Sequence, residues 1–402
     1  MKALILAAGG GTNMAPFSNT RPKPMVHVTG RPMLYRTITT LKESGFHEVD
    51  LVIGPHGDKI TDYFGKGGEM EVSLHYTRQK GSKGIGGAIL SAKGRFNPGE
   101  HFLLIYGDVV TEDNAISNLR QTFALTNTPT AAITLSTDSG ELGNVYLDNA
   151  MNITRIVEKP GKKGMGNYVL AGIYVLPYRF FDILKGFKGN MAKALAKLIT
   201  QDGLKASILE KGWLDIAHPW DILQANRMIM DTWDTSTIHK DIIYRDIKVQ
   251  GTVHIEEGVV IRPGAFLQGP SYIGRGSYIG NNALIREYTC LGPECSVGYG
   301  VELKNCVMFG KSSVGRLSFI GDSVIGENVE IGSGTMTLNG NMNGATVSVK
   351  INKKSINTEM KKIGAFIGDD CKLGSGHTVQ AGTVIQPGKL LPHHHTYPTK
   401  SR

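Results

Sequence analysis

Tyr272-Ile273-Gly274-Arg275-Gly276-Ser277-Tyr278-Ile279-Gly280-Asn281-Asn282-Ala283-Leu284-Ile285 repeats a single pattern every six residues. An apolar residue opens each period, glycine often follows it, and a small or β-branched residue falls four places on. Extended both ways, the apolar series runs Val249, Ile255, Ile261, Leu267, Ile273, Ile279, Ile285, Leu291, Val297, Leu303 and Phe309 without a gap. Beside it run Val253, Val259, Ala265, Ser271, Ser277, Ala283, Thr289, Cys295, Val301, Val307 and Ser313. A helix repeats every ~3.6 residues and a strand every ~2, so neither produces this spacing. A hexapeptide β-helix does: short parallel strands stack in coils, the large apolar side chain enters the axis, and the small residue turns the corner. The register breaks at Gly315, resumes at Ile325 and Ile331, and returns at Ile367, Leu373, Val379, Ile385 and Leu391. Residues 338–362, polar and lysine-rich, interrupt it as a protruding loop or hairpin.

Upstream the pattern changes. Residues 2–8, 49–53, 72–76 and 102–106 read as buried strands, and 32–44, 85–93 and 114–123 as amphipathic helices. Such alternation predicts a doubly wound, Rossmann-like α/β domain with a mainly parallel sheet, whose ligands gather at the strand carboxyl ends. A chain of 402 residues is too long for one ordinary core. The expected organisation is an α/β domain over 1–228, a connecting helix or linker over 229–246, and a β-helix over 247–402.

Hydrophobic residues make up 41% and charged residues 20%, a globular balance, and no stretch approaches the ~20 apolar residues of a membrane span. The apolar start runs straight into Gly9-Gly10-Gly11, too short and too lightly charged for a secretory signal, so it reads as a first strand in a cytoplasmic protein. Cys290, Cys295, Cys306 and Cys371 lack paired zinc spacing and read as small core residues. The net charge of +9 raises nucleic acid as a partner, carried best by Lys350, Lys353, Lys354, Lys361 and Lys362. No aromatic platform or base-reading helix accompanies them, so a solvated basic loop, or a general attraction for phosphorylated metabolites, is the reading.

Chemistry concentrates in the first half. Leu6-Ala7-Ala8-Gly9-Gly10-Gly11-Thr12-Asn13-Met14 places glycines after a strand, where backbone N–H groups approach phosphate oxygens. Arg21-Pro22-Lys23-Pro24-Met25 follows, with two prolines stiffening the backbone around Lys23. Asp108 closes a strand, and Gly212-Trp213-Leu214-Asp215-Ile216 offers a second carboxylate. Two carboxylates with substrate phosphates form a partly hydrated site of the kind Mg²⁺ prefers.

Taken in order, residues 6–14, 21–25, Gln79 with Gly84-Ile85-Gly86-Gly87-Ala88, Gly107-Asp108, Val157-Glu158-Lys159-Pro160 and residues 213–226 resemble the sugar-1-phosphate nucleotidylyltransferases. Members with a C-terminal left-handed β-helix resemble the chain over nearly its whole length. By that resemblance Leu6, Ala8, Gly9, Gly10, Gly11, Thr12 and Asn13 line the nucleoside triphosphate, and Gln79 with Gly84 reads its base. Lys23 neutralises phosphate charge, Gly143, Glu158, Lys159 and Gly172 take the sugar 1-phosphate, and Asp108 with Asp215 holds Mg²⁺. The implied reaction is attack of a sugar-1-phosphate oxygen on the α-phosphorus of UTP or dTTP, releasing pyrophosphate. The β-helix implies a homo-oligomer, a trimer or a dimer of trimers.

Two departures stand out. The family's glycine-rich loop carries an arginine where this chain has Asn13, leaving Arg21 or another cation to substitute. Ala217-His218 replaces the usual Gly-Thr after Asp215, and His218 is expected at a helix start. In the β-helix, Arg286, Lys304 and Asn339 align with the acetyltransferase site of the bifunctional members, but Arg316 stands at the general-base histidine and Phe319 at a tyrosine. A guanidinium accepts no proton at neutral pH, so ordinary acetylation is not expected. These departures motivate a second reading, a weakly active paralogue that binds nucleotide-sugar and regulates a partner.

Overall fold

The computed structural model describes residues 1–80, 84–111, 114–135, 142–157, 168–210, 212–394 and 396–397. It falls into two compact units that do not follow a single cut in the chain. The first comprises Met1–Gly10, Pro22–Met25 and Met33–Asp215; the second comprises Gly11–Arg21, Val26–Pro32 and Ile216–Arg402.

The first unit is built on a nine-stranded sheet. Its main path runs Ile153–Val157, Asn144–Leu147, Tyr168–Pro177, His101–Tyr106, Lys2–Ala7, Glu48–Ile53 and Ser73–Arg78. Lys2–Ala7 is parallel to both its neighbours, as an α/β crossover fold requires. The sheet is mixed, however, where a mainly parallel one was expected. Tyr168–Pro177 runs antiparallel to His101–Tyr106, Thr130–Leu135 and Asn144–Leu147. Apolar patterning marks a strand as buried but carries no information about its direction. Two apolar clusters cover the sheet. One gathers Leu34, Ile38 and Leu41 of helix Met33–Glu43 with Ile116 and Leu119 of Ala115–Thr126. The other gathers Ile89 of Ile85–Ser91, Phe180 and Phe181 of Phe180–Gly186, and Leu195 and Leu198 of Met191–Asp202. With helices on both faces, the strand ends are left for ligands.

The second unit is a left-handed β-helix of three eight-stranded parallel sheets, one for each side of a triangular coil. Ile255, Ile261, Leu267, Ile273, Ile279, Ile285, Leu291, Val297 and Leu303 fill its axis, each buried to within a few per cent. Burying each such side chain is worth about 1.5–3 kcal/mol. Val249 is exposed, because it sits in the first coil, which begins at Thr237–Ile238 within the stretch expected as a linker. The four cysteines are free and buried, and burial pushes the Cys295 thiol up to about 12.

The last members of both six-residue series, Phe309 of the apolar one and Val307 and Ser313 of the small one, are misplaced by simple counting. Ile273 pairs with Leu291, eighteen residues on, but Leu291 pairs with Met308, only seventeen on. The turn at Asn305, in the left-handed region at φ 44, is one residue short. The register therefore slips well before Gly315. Met308 enters the axis, and Phe309 turns to the outer face. The interruption at 338–362 is a hairpin, Ser348–Ile351 against Lys354–Asn357. It does not simply protrude, because Val347, Val349 and Ile351 are buried. Its lysines are exposed, as the reading of a solvated basic loop expects. Among the described residues no helix is long and apolar enough to cross a membrane.

Candidate active site

The central strand Lys2–Ala7 ends in the glycine-rich turn, and Gly107 N–H donates to Leu6 O at 3.0 Å, which sets that turn beside Asp108. A side chain at Gly107 would place its Cβ 2.6 Å from the Leu6 carbonyl, so only glycine allows this approach. Asp215 comes from a distant part of the sequence. The strand Trp213–Asp215 pairs antiparallel with Val109–Thr111, with Asp215 opposite Val109, one residue from Asp108. Trp213 Nε1 donates to Ala171 O at 2.9 Å and steadies that strand. Lys23 opens a short 3₁₀ turn, Lys23–Met25, closed by Met25 N–H donating to Pro22 O at 2.8 Å.

These elements bring three of the expected residues to one point. Lys23 Nζ lies 2.7 Å from Asp108 Oδ2 and 3.6 Å from Asp215 Oδ1. The lysine side chain is buried at 11% exposure, whereas the carboxylates keep 35% and 37%. The lysine is therefore shielded while the carboxylates remain part-open to solvent. Among the described residues no group of three His, Cys, Asp or Glu side chains converges, so an ion here would complete its shell with water and phosphate oxygens.

The other positions are distributed around this point. Ala8 is buried, and Gly9, Gly10, Thr12 and Asn13 form the exposed part of the turn and its following 3₁₀ segment, with Gly11 at φ 55 and half-buried. Gln79 Nε2 donates to Gly84 O at 3.1 Å, so the two expected base-reading residues touch. Gly143 O accepts from Leu170 N–H at 3.0 Å, and Gly172 lies against Tyr106. Glu158 and Lys159 lie outside the described residues.

The suggestion that Arg21 replaces the missing loop arginine is corrected. Its side chain is buried within the β-helix unit, where Nη2 lies 2.5 Å from Asp369 Oδ2 and 3.3 Å from Glu327 Oε2. A guanidinium committed to two carboxylates is not available to a triphosphate. His218 stands at a helix start, as expected. Its N–H donates to Asp221 Oδ2 at 2.6 Å, and its ring stacks on Trp220 at 4.5 Å.

Of the positions aligned with an acetyltransferase site, Lys304 and Asn339 meet at Asp322, at 3.8 Å and 2.7 Å. Arg286 pairs with Glu302 at 2.9 Å. Arg316 is exposed in a separate depression lined by Gly298, Tyr299 and Ser333.

Sequence reading missed Asp369 and His27, gave Asn226 no role beyond closing a motif, and set Phe309 in the coil axis, all in the second unit. The five-residue step from Leu303 to Met308 was the available signal for Phe309. His27 packs on Phe309, ring centroids 5.1 Å apart. Burial first, and then the Arg21 cation, push its pKa down from 6.5 to about 3, with Asp369 and a hydrogen bond to the Phe309 backbone opposing. An unfolded histidine takes a proton near pH 6.5, so protonation favours unfolding. This contribution to stability is whole above that pH and is lost as pH falls from about 6.5 toward about 3. At pH 5 the loss is about 2 kcal/mol. Thermal melts of wild type at pH 7 and pH 5 should therefore differ by more than those of His27→Gln. Equal acid sensitivity in the two proteins would refute this assignment.

A nucleotidyl transferase family model matches residues 2–232, and one described as GMPPB C-terminal domain matches residues 267–395. The bifunctional protein GlmU of Methanococcus maripaludis is 34% identical over 401 residues, covering 97% of this chain and 93% of that protein. A bifunctional sugar-1-phosphate nucleotidylyltransferase/acetyltransferase of Sulfurisphaera tokodaii is 33% identical over 392 residues, covering 96% and 94%. Among solved structures, the UTP-bound UGPase of Acinetobacter baumannii matches with a TM-score of 0.52 at 23% identity, over 58% of this chain and 94% of that one, a likeness of fold. A family model that spans the strands, turn and charged cluster described above, together with relatives a third identical along nearly the whole chain, places this protein in the nucleotidyl transferase family as a sugar-1-phosphate nucleotidylyltransferase with a C-terminal left-handed β-helix.

Proposed function

We propose that this enzyme joins UTP or dTTP to a sugar 1-phosphate in a Mg²⁺-dependent reaction that releases pyrophosphate. The observation that carries the reading is the convergence of Asp108 and Asp215 on Lys23, beside the glycine-rich turn. Two part-exposed carboxylates that already face one cation suit Mg²⁺, which keeps water and draws further ligands from phosphates. Asp108 and Asp215 would hold the ion, which would neutralise charge on the triphosphate. Lys23 adds a fixed positive charge, and the Gly9–Thr12 backbone offers N–H donors to phosphate oxygens. Gly143, Glu158, Lys159 and Gly172 orient the sugar 1-phosphate. Its phosphate oxygen attacks the α-phosphorus in line, the bond to pyrophosphate breaks, and no covalent protein intermediate is needed. The Gln79 carboxamide, donor and acceptor together, suits the edge that uracil and thymine share.

Pyrophosphate release over a panel of triphosphates and sugar 1-phosphates tests this directly. UTP and dTTP are expected to be the preferred donors, and preference for a purine triphosphate would sink the base assignment. Asn13 is exposed at the triphosphate loop, where the family places an arginine. One preorganised charge stabiliser contributes about 10²–10³-fold to rate. Asn13→Arg is therefore expected to raise kcat, by about tenfold or more; an unchanged or lower kcat would mean that the loop uses another arrangement.

The β-helix, on this reading, assembles the chain into trimers and performs no ordinary acetylation. The relatives cited above include one named as an acetyltransferase, so the second half of that statement rests on Arg316. Consumption of acetyl-CoA with glucosamine 1-phosphate would overturn it, and a monomer by light scattering would overturn the first half.

A further inference from the structure

Lys23 belongs to the first unit, yet the sequence on either side of it, 11–21 and 26–32, belongs with the β-helix. Asp369 is the centre of that attachment. Its Oδ2 receives Arg21 at 2.5 Å and the Thr20 hydroxyl at 2.5 Å, and its Oδ1 accepts from Glu327 N–H at 2.8 Å. Arg21 and Asp369 side chains are each only 7% exposed. The Arg21 guanidinium also lies 5.0 Å from the centroid of Phe309. A buried ion pair recovers little more than its desolvation cost, so its effect is felt more in position than in stability.

Further ties hold the same two segments. Asn352, at the turn of the hairpin, donates to Thr12 O at 2.7 Å, and Asn19 donates to Gln386 at 2.8 Å. Downstream, Thr29 N–H donates to Asn226 at 3.1 Å, and Arg31 pairs with Glu256 at 2.8 Å. Gly30, at φ +81, sits so close under Tyr272 that a Cβ there would lie 2.0 Å from the ring. The two prolines then leave little backbone freedom between Arg21 and Met25.

We propose that Asp369, acting through Arg21, is a positioning residue for nucleotidyl transfer, fixing the backbone that presents Lys23. This rests on the reading of Lys23 as the lysine that serves the triphosphate. Misplacement of a reacting group by about 1 Å costs up to ~10²-fold. In the full-length protein, Asp369→Asn is therefore expected to lower kcat for pyrophosphate release about ten- to hundredfold, with KM for both substrates within about threefold. Asp369→Glu is expected to recover part of the loss, and hydrogen exchange of the peptide spanning 11–21 to quicken in Asp369→Asn. Leu303→Ala loosens the coil axis without touching Arg21, and its kcat should match wild type below its melting temperature. If Asp369→Asn does not fold, Thr20→Val removes one donor from the same carboxylate and should cost about threefold.

Wild-type kcat and exchange in Asp369→Asn, or an equal loss in Leu303→Ala, would overturn the proposal. Lys23→Met separates the two layers. If it keeps full activity, the reading of Lys23 is wrong; if it is inactive beside a fully active Asp369→Asn, only the positioning role falls.

Discussion

Lys23→Met is expected to lower kcat for pyrophosphate release by about 10²–10³-fold, the effect of removing one preorganised charge from a site where negative charge accumulates. The reason lies in the local arrangement. Lys23 Nζ stands 2.7 Å from Asp108 and 3.6 Å from Asp215, and the carboxylates are the more exposed members. Methionine keeps the volume and removes the charge, so the ion proposed at Asp108 and Asp215 would be left to offset these carboxylates and the triphosphate without the ammonium beside them. Coulomb repulsion between such charges at ~4 Å amounts to about 4 kcal/mol at an intermediate dielectric. Lys23→Arg is expected to rescue only in part, because a planar guanidinium does not fit a slot shaped for a compact ammonium. Steady-state pyrophosphate release with saturating substrates is the measurement. A Lys23→Met enzyme within threefold of wild type would remove this lysine from the mechanism.

Phe309→Ala is expected to destabilise the β-helix unit by about 3–5 kcal/mol, as for other buried phenylalanines. Phe309 is 1% exposed, and its ring meets Phe17 at 5.0 Å and His27 at 5.1 Å, with Arg21 above it. Truncation removes the ring from all three at once and leaves a cavity under a buried ion pair. Phe309→Leu should cost less, because it refills most of the volume while losing the stacking and cation–π contacts, worth about 0.5–2 kcal/mol. Urea unfolding followed through the β-helix signal gives the numbers. A Phe309→Ala loss under about 1 kcal/mol would mean that segment 11–32 does not rely on this ring.

The six-residue spacing of Ile255 through Leu303 was enough by itself to determine the β-helix, because a side-chain period tied to a coil has no other regular solution. The α/β unit, its strand–helix alternation and the candidate cluster Lys23, Asp108 and Asp215 were likewise legible as motifs in order. Tertiary structure alone decided the rest. Strand direction is absent from hydrophobic patterning, so the antiparallel course of Tyr168–Pro177 could not be read. A turn shortened by one residue at Asn305 marks the sequence only as a five-residue step from Leu303 to Met308, which competes with the six-residue step to Phe309; the packing sends Met308 inward and Phe309 outward. The meeting of Asp108 and Asp215 depends on a ladder between strands about a hundred residues apart in sequence. The bond between Arg21 and Asp369 spans nearly the whole chain. Local periodicity records which face of an element is buried; which element buries it is settled by long-range packing, to which a short window of sequence is blind.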